Sequence, residues 1–246
     1  MQVSAIHLDK IVPPKDDLVK KISASKLKLK DGDVLAISSK VVSIGEGRTI
    51  SAEKITKETL IKKEADLYYA PKFTKKWGYM FTITKGVLIG SAGVDQSNGN
   101  GYFVLWPKNP MRSAARLRID LMREYKLKKL GVVITDSTSR PLRRGASGFA
   151  LAWAGFEPLY DYRGTPDIFG RPIHVEQANI VDGLAAAAVL VMGEGSEQTP
   201  IALLRDVPKT IWDAKQAKKN DGFIVPMERD LFAPFFKNAP WKKGKR

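Results

Sequence analysis

The chain has 246 residues, with 41 Lys and Arg against 26 Asp and Glu, and its formal net charge is +15 at pH 7. The absence of cysteine excludes disulfides, thiolate zinc sites and cysteine nucleophiles, and only two histidines are present for a histidine-based metal site or triad. Its apolar runs fall well below the ~18 residues of a membrane helix, and no apolar signal segment follows the N-terminus, so we expect a soluble, cytoplasmic protein.

The first half of the chain combines short apolar strands with charged helices. Residues 33–38 are continuously apolar from Val34 to Ile37, which is typical of a buried strand. The Lys85-Gly86 pair separates two apolar runs and is typical of a hairpin turn. The predicted elements are a strand over 3–6, a helix over 15–29, a strand over 33–38, a helix over 51–69 and strands over 79–84 and 87–90.

The second half continues the same mixture, and Pro110 is well placed in the first turn of an amphipathic helix. Strands and helices do not alternate strictly, so we predict an α+β (mixed α/β) fold of mixed sheets with flanking helices, in one compact unit with two lobes. We place a main domain over 1–206 and a Lys- and aromatic-rich extension over 207–246. The predicted elements are a helix over 110–125, a strand over 131–135, a helix over 181–192 and a strand over 200–204.

The positive charge has several explanations that composition does not separate. Lysine runs are ordinarily solvated faces or frayed ends. A basic protein also suits nucleic acid, an anionic membrane surface, or small polyanionic substrates. The runs are Lys215, Lys218 and Lys219, followed by Lys242, Lys243, Lys245 and Arg246 at the tail.

Oxygen-bearing side chains follow several of the predicted elements. Asp95 follows the strand over 87–90, Asp136 and Ser137 follow the strand over 131–135, and Glu194 follows the helix over 181–192. Such ligands, with glycines that allow close backbone approach, suit a hard cation such as Mg²⁺ or Mn²⁺. Each of these residues taken alone is equally well explained as an ordinary turn residue.

Two further segments have the composition of an anion site. Arg143 and Arg144, with Arg140, precede a run of small residues, and the guanidinium group matches phosphate or carboxylate geometry. Ser38 and Ser39 end a predicted strand and offer hydroxyl and backbone N–H groups for phosphate. A solvated loop explains either segment equally well.

Six ordered elements together resemble a known family, the coenzyme F420-0:L-glutamate ligases (γ-glutamyl ligases). The resemblance extends from about Val3 to Leu204 and leaves the last forty-odd residues uncovered. The elements are Ser38-Ser39-(x3)-Ser43-(x2)-Glu46-Gly47-Arg48, Gly93-x-Asp95-x-Ser97-Asn98, Gly131-(x4)-Asp136-Ser137, Arg143-Arg144-Gly145-(x2)-Gly148-Phe149-Ala150, Asp161-(x7)-Phe169-Gly170-Arg171-Pro172 and Met192-Gly193-Glu194-Gly195.

The resemblance implies an enzyme that joins the amine of L-glutamate to an acceptor carboxylate, using GTP and two divalent ions, Mg²⁺ or Mn²⁺. It also implies a homodimer of mixed α+β fold. This chain has Ile44 where the family has a nucleotide-contacting lysine, so GTP and ATP both stay open. The implied roles are Asp95 and Asp136 as ligands of one ion, Ser137 and Glu194 at a second, and Ser38, Ser39 and Asn98 as nucleotide contacts.

The acceptor and the chemistry follow from the same resemblance. The segment 102–110 and the Lys-rich C-terminal residues resemble a bacterial branch that adds glutamate to folate, so F420-0 and folate are both expected acceptors. Trp106, Trp153 or Tyr162 could stack on the flat ring that either acceptor carries. The expected reaction is a two-step ligation through an acyl phosphate, with Arg143 and Arg144 as the candidate catalytic residues that hold a carboxylate or phosphate.

Two alternatives belong to other functional classes. One is a basic nucleic-acid-binding protein without catalysis, although no helix-turn-helix, RNP-like or KH-like pattern is visible and the sharpest motifs are acidic. The other is a degenerate homologue of the ligases that only binds a pterin or deazaflavin, an idea that Ile44 favours and the retained carboxylates oppose. We expect no membrane partner.

Overall fold

The computed structural model describes residues 1–72, 74, 78–212 and 223–245, so the basic run at Lys215, Lys218 and Lys219 and the terminal Arg246 lie outside the described residues. Within the described part, no helix is long and apolar enough to span a membrane. The strands are β1 (Gln2–Ile6), β2 (Asp33–Ser38), β3 (Thr49–Ser51), β4 (Leu67–Tyr69), β5 (Phe81–Thr84), β6 (Val87–Gly90), β7 (Tyr102–Val104), β8 (Leu130–Ser139), β9 (Ala146–Ala154), β10 (Leu159–Asp161), β11 (Gln177–Asn179), β12 (Ile201–Arg205) and β13 (Lys242–Lys243). The helices are α1 (Leu18–Ala24), α2 (Ser39–Gly45), α3 (Lys57–Glu64), α4 (Pro110–Glu124), α5 (Ile180–Met192) and α6 (Ala233–Lys237).

The larger lobe is built on a five-stranded mixed sheet in the order β1-β12-β2-β8-β9. Only β2 and β8 are parallel neighbours, and the other pairs are antiparallel. Strand β2 is apolar from Val34 to Ile37, which suits a strand that is covered on both faces. Leu35 and Ile37 pack with helices α1 and α4, whereas Val34 and Ala36 pack with helix α5.

The smaller lobe is an antiparallel sheet in the order β13-β4-β5-β6, accompanied by helix α3 and the β3–β7 pair. Its core contains Leu60 and Ile61 of α3 together with Phe103 of β7. The C-terminal residues contact both lobes, because β13 pairs with β4 and the Phe223 ring lies 4.7 Å from that of Trp153 in β9. The fold is thus mixed α/β, as predicted.

Several predicted elements are confirmed. Strand β2 has the predicted bounds, the β5–β6 hairpin turns at Lys85-Gly86, and α4, α5 and β12 lie within a residue or two of prediction. Helix α4 begins as expected, with Pro110 in its first turn and Asn109 accepting a hydrogen bond from the Arg112 backbone N–H. Apolar patterning was sufficient in these segments because their apolar residues lie in the core, on one face of α4 and on both faces of β2.

The helix predicted over 51–69 is wrong in extent. Helix α3 covers only Lys57–Glu64, because Thr56 caps its start and Ala65 leaves the helical conformation. Leu67–Tyr69 instead forms β4, which pairs with β5. The helix predicted over 15–29 is also too long, since Asp17 caps the start of α1 and the chain turns at Ser25 and Lys26.

Two differences affect the site directly. Asp136 and Ser137 do not follow a strand but lie within β8, which continues to Ser139 because β9 pairs with it beyond a register shift at Ile134/Thr135. Ser39 does not end a strand either, since it is the first residue of helix α2, which was not predicted. In both cases a strand or helix continues further than predicted, so Asp136, Ser137 and Ser39 lie within secondary structure and not in loops.

Candidate active site

A cleft of about 960 Å³ opens where the two lobes meet. Ser38 and Thr135 are parallel neighbours at the ends of the paired parts of β2 and β8, so the residues that follow them emerge at the same edge of the sheet. The smaller lobe contributes the turn after β6, and the loop after α5 closes another side. The cleft contains all seven predicted nucleotide and metal residues, namely Ser38, Ser39, Asp95, Asn98, Asp136, Ser137 and Glu194.

The carboxylate of Asp136 accepts three hydrogen bonds in this cleft. Its Oδ2 atom accepts hydrogen bonds from Ser39 Oγ at 3.2 Å and from the indole Nε1 of Trp106. Its Oδ1 atom accepts from the backbone N–H of Ser137 at 2.8 Å. The Trp106 ring is only 2% exposed, so the position of this donor is fixed by core packing.

The surroundings of Asp136 favour its protonated form. Burial raises the pKa of Asp136, and the nearby charge of Asp95 raises it further, while hydrogen bonds from Trp106, Ser137 and Ser39 only partly oppose this. A bound cation would stabilise the ionised form of this carboxylate. The arrangement is therefore suited to a positive ligand.

Asp95 has a cation of its own. Its backbone is fixed by paired hydrogen bonds with Val104 of β7, and its Oδ2 lies 2.6 Å from Lys40 Nζ. Ser97 adds hydrogen bonds to the same carboxylate from its backbone N–H and its hydroxyl, at 2.8 Å and 3.0 Å to Oδ1. Burial alone would raise the pKa of Asp95, but Lys40 and Ser97 outweigh it and the pKa is lowered.

The loop after α5 joins the two lobes across the cleft. Helix α5 ends at Met192, Gly193 has a positive φ of 75°, and the exposed Glu194 follows it. Asn98 Nδ2, from the smaller lobe, donates to the carbonyl of Gly195 at 2.9 Å. Glu197 accepts from the Gly195 backbone N–H at 2.8 Å. Asn98 therefore bridges the lobes in addition to lining the cleft.

The structure does not bring Arg143 and Arg144 to this cleft. Both are exposed, in the turn between β8 and β9, and neither lines the cleft. Arg140, nearby, donates to Ser147 Oγ at 3.1 Å. The proposed binding of a carboxylate or phosphate by Arg143 and Arg144 stays a prediction.

Comparison with known proteins decides the family. Residues 6–206 match the family described as F420-0:Gamma-glutamyl ligase. The chain is 34% identical over 247 residues to the coenzyme F420:L-glutamate ligase of Methanopyrus kandleri, covering 94% of this chain and 97% of that protein. It is 36% identical over 211 residues to the Halobacterium salinarum protein of the same name (78% and 81% covered), and 34% over 218 residues to that of Methanocaldococcus jannaschii (83% and 86%).

The chain belongs to the F420-0:gamma-glutamyl ligase family. The resemblance seen in its motifs is confirmed, and the protein is an enzyme of the acid–amino-acid ligase class. The motifs that carried the resemblance fall into two groups in the structure. Those around Ser38, Asp95, Asp136 and Glu194 meet in the cleft, while Arg143 and Phe169 of the other two motifs are exposed and do not line it.

Sequence reasoning missed three contributors to the cleft of this ligase. Trp106 was considered as a ring that stacks on the acceptor, yet its indole N–H is a donor to Asp136. Lys40 was not marked as a site residue, yet it lines the cleft and pairs with Asp95. The loop from Leu8 to Pro13 also lines the cleft, and no motif marked it.

Proposed function

We propose that this ligase forms an amide between the amine of L-glutamate and a carboxylate of coenzyme F420-0, using a nucleoside triphosphate and divalent metal ions. The observation that carries the proposal is the meeting of Asp95 and Asp136 in one cleft between the lobes of a chain from this family. The relatives compared above are all named coenzyme F420:L-glutamate ligases, which favours F420-0 over folate as the acceptor.

The charge of the cleft supports a need for metal ions. Its lining holds five carboxylates, Asp9, Asp95, Asp136, Glu194 and Glu197, and two cations, Lys10 and Lys40. A nucleoside triphosphate is itself strongly anionic, so it requires added positive charge to bind here. The net positive charge of the whole chain therefore lies elsewhere on its surface.

The residues present fit Mg²⁺ or Mn²⁺ held in part by substrate. Within the ranges described above, no group of three or more His, Cys, Asp or Glu side chains forms a closed metal cage. Mg²⁺ is instead commonly bound by one or two carboxylates together with substrate phosphates. Asp95 and Asp136 would hold one ion, and Ser137 and Glu194 a second. Bound metal would neutralise charge on the transferring phosphoryl group.

The reaction requires activation of the acceptor, because a carboxylate has a poor leaving group toward an amine. An acceptor carboxylate oxygen attacks the γ-phosphorus, the bond to the β,γ-bridging oxygen breaks, and the nucleoside diphosphate leaves. The glutamate amine then attacks the acyl carbon, loses a proton and displaces phosphate. Ser38, Ser39 and Asn98 position the nucleotide, with GTP and ATP both candidates given the apolar Ile44. Arg143 and Arg144 are proposed to bind a substrate carboxylate or the phosphate.

We further propose a domain organisation and an oligomeric state for this ligase. We assign residues 1–206 to a catalytic domain in two lobes and residues 207–246 to an extension, whose Phe223 and Trp241 rings lie against Trp153 and Tyr69 of the body. We also propose that the enzyme acts as a homodimer. Nucleic-acid binding is disfavoured because the most elaborate site is lined by carboxylates.

Offering the purified enzyme each acceptor separately tests the function. The enzyme receives L-glutamate, Mg²⁺ or Mn²⁺, and GTP or ATP, with F420-0 in one series and dihydrofolate or tetrahydrofolate in another. Mass spectrometry should detect a glutamyl addition on F420-0 that depends on the metal. Addition on folate alone would replace F420-0 by folate as the acceptor. No product and no nucleotide hydrolysis with either acceptor would favour a homologue that binds without catalysis.

The hydrogen bond from Trp106 yields a prediction about pH. The indole N–H lowers the pKa of Asp136, so Trp106→Phe should raise that pKa further. Protons compete with metal for the carboxylate, and Mn²⁺ binding should therefore be lost at a higher pH in Trp106→Phe than in the wild type. Mn²⁺ titrations followed by electron paramagnetic resonance between pH 5 and pH 8 measure the shift.

Trp153→Phe is the matched control for this prediction. Trp153 is equally buried, but its indole N–H has no hydrogen-bond partner among the described residues, so its loss should leave the pH profile unchanged. Equal profiles for wild type and Trp106→Phe would contradict the assignment of the indole as a donor that tunes Asp136.

A further inference from the structure

Lys40 forms an ion pair with Asp95 in the cleft, a contact that no sequence pattern indicated. Its ammonium lies 2.6 Å from Asp95 Oδ2 and donates to both the carbonyl and the hydroxyl oxygen of Ser97, each at 2.9 Å. The side chain of Lys40 is 23% exposed, so this arrangement is partly screened from water. Asp95 thus has a cation on one of its oxygens before any ligand binds.

A metal ion bound to Asp95 Oδ2 would occupy the position that the ammonium holds. Asp95 is a proposed metal ligand, and its Oδ2 cannot serve Lys40 and a divalent ion at bonding distance together without bringing two positive charges into contact. A divalent ion that takes Oδ2 therefore displaces Lys40 from Asp95. Ser97 can retain its own hydrogen bonds to Oδ1 during this change, because it donates from its backbone N–H as well as its hydroxyl.

Helix α2 keeps the released ammonium in the cleft, because it fixes the Lys40 backbone in the cleft wall. Lys40 lies in the first turn of α2, and Ile44 lies one turn later on the same face, since residues i and i+4 of a helix share a face. Both line the cleft, but Ile44 is apolar and offers no charge. Among the described residues, Lys10 and Lys40 are the cationic side chains of the cleft lining, and Lys40 is the one tied to a proposed metal ligand.

We propose that Lys40 is an exchangeable cation, which neutralises Asp95 in the free enzyme and transfers to nucleotide phosphate when a divalent ion takes its place. This inference rests on the function proposed above. The exchange makes metal and nucleotide binding cooperative: the metal frees the ammonium that the nucleotide needs, and the nucleotide stabilises the position in which Lys40 no longer competes with the metal. By linkage the two effects are equal in size.

The test measures two affinities in Lys40→Met that should change in opposite directions. Without nucleotide, Mn²⁺ should bind roughly 3- to 10-fold more tightly than in the wild type, because the competing ammonium is gone. With saturating Mg²⁺, GDP should bind about 10-fold more weakly by calorimetry, because its phosphates lose a charged partner. Both titrations are made at the same pH of 8, so that competition from protons does not differ between the variants. A lysine with only a structural role would weaken both affinities when replaced.

Lys10→Met is the charge-matched control, since Lys10 lines the same cleft without pairing to Asp95, and it should change Mn²⁺ affinity less than about 2-fold. Lys40→Arg, which keeps a cation on Asp95, should keep the wild-type Mn²⁺ affinity. Lys40→Gln provides a second neutral variant if Lys40→Met does not fold.

The outcomes separate this inference from the function on which it rests. A wild-type enzyme that binds neither Mn²⁺ nor Mg²⁺-dependent GDP would overturn the proposed metal site itself. A wild type that binds Mn²⁺, with neutral Lys40 variants that bind it no more tightly, would overturn the exchange and leave the metal site intact.

Discussion

Replacing Asp136 by asparagine is expected to lower the rate of glutamyl ligation by about 1000-fold while the protein still folds. Removing one charged metal ligand costs several kcal/mol of transition-state charge stabilisation, which corresponds to this factor. The amide removes a buried charge, but its NH2 group must face the N–H of either Trp106 or Ser137, so we expect a loss of about 1–3 kcal/mol of stability without unfolding. Product formation on F420-0 by mass spectrometry, together with Mn²⁺ titration, measures the effect.

Asp9→Asn is the control for this prediction. Asp9 also lines the cleft but is exposed, and it is not among the residues assigned to metal, so the same chemical change there should leave Mn²⁺ affinity within about 3-fold of the wild type. An Asp136→Asn enzyme with wild-type turnover would remove Asp136 from the metal site and leave the cleft without its central ligand.

Much of the fold could be predicted because its signals are local. The apolar run of β2, the amphipathic pattern of α4 and the apolar helix α5 each follow from side chains a few residues apart. The predicted helix over 51–69 was too long because its true end depends on a distant part of the chain. Leu67–Tyr69 becomes a strand through pairing with Phe81–Thr84, a partner that no local pattern of charges reveals.

The members of the site could be named from sequence, but not their contacts. Asp95 and Asp136 reach the same cleft because β2 and β8 pair in parallel across nearly a hundred residues of chain and the smaller lobe folds over their ends. The pairing of Lys40 with Asp95 depends on that same long-range arrangement. Family motifs identify which residues matter in such a case, while only the fold shows which atoms face each other.

The exposed arginines show that a family motif does not by itself place a residue in the cleft. Arg143 and Arg144 belong to the family pattern as clearly as Asp136 does, yet they lie outside the cleft of their own chain. The net charge of the chain was equally uninformative about location, because the cleft itself holds more carboxylates than cations. The positive net charge of the chain therefore reflects the rest of its surface and does not indicate the charge of the cleft.

Gly93→Ala should combine a large loss of stability with a loss of activity, because Gly93 supports the indole that faces Asp136. Gly93 has a positive φ of 68°, and a Cβ atom there would collide with the Trp106 ring at Nε1 and Cε2. We expect the free energy of unfolding to fall by about 3 kcal/mol, of which about 1 kcal/mol reflects the left-handed backbone and the rest the overpacked ring. Displacing the indole also withdraws its N–H from Asp136.

Gly101→Ala separates these two contributions. Gly101 has a positive φ of 83°, but nothing lies within 4 Å of a Cβ added there, so this variant should lose only the backbone share of about 1 kcal/mol and keep its ligase activity. Urea unfolding of both variants gives the difference, and ligation is assayed where both remain folded. Equal losses of stability in the two variants would mean that Trp106 shifts without cost. The indole could then not be the rigid donor that holds Asp136 in place for its cation.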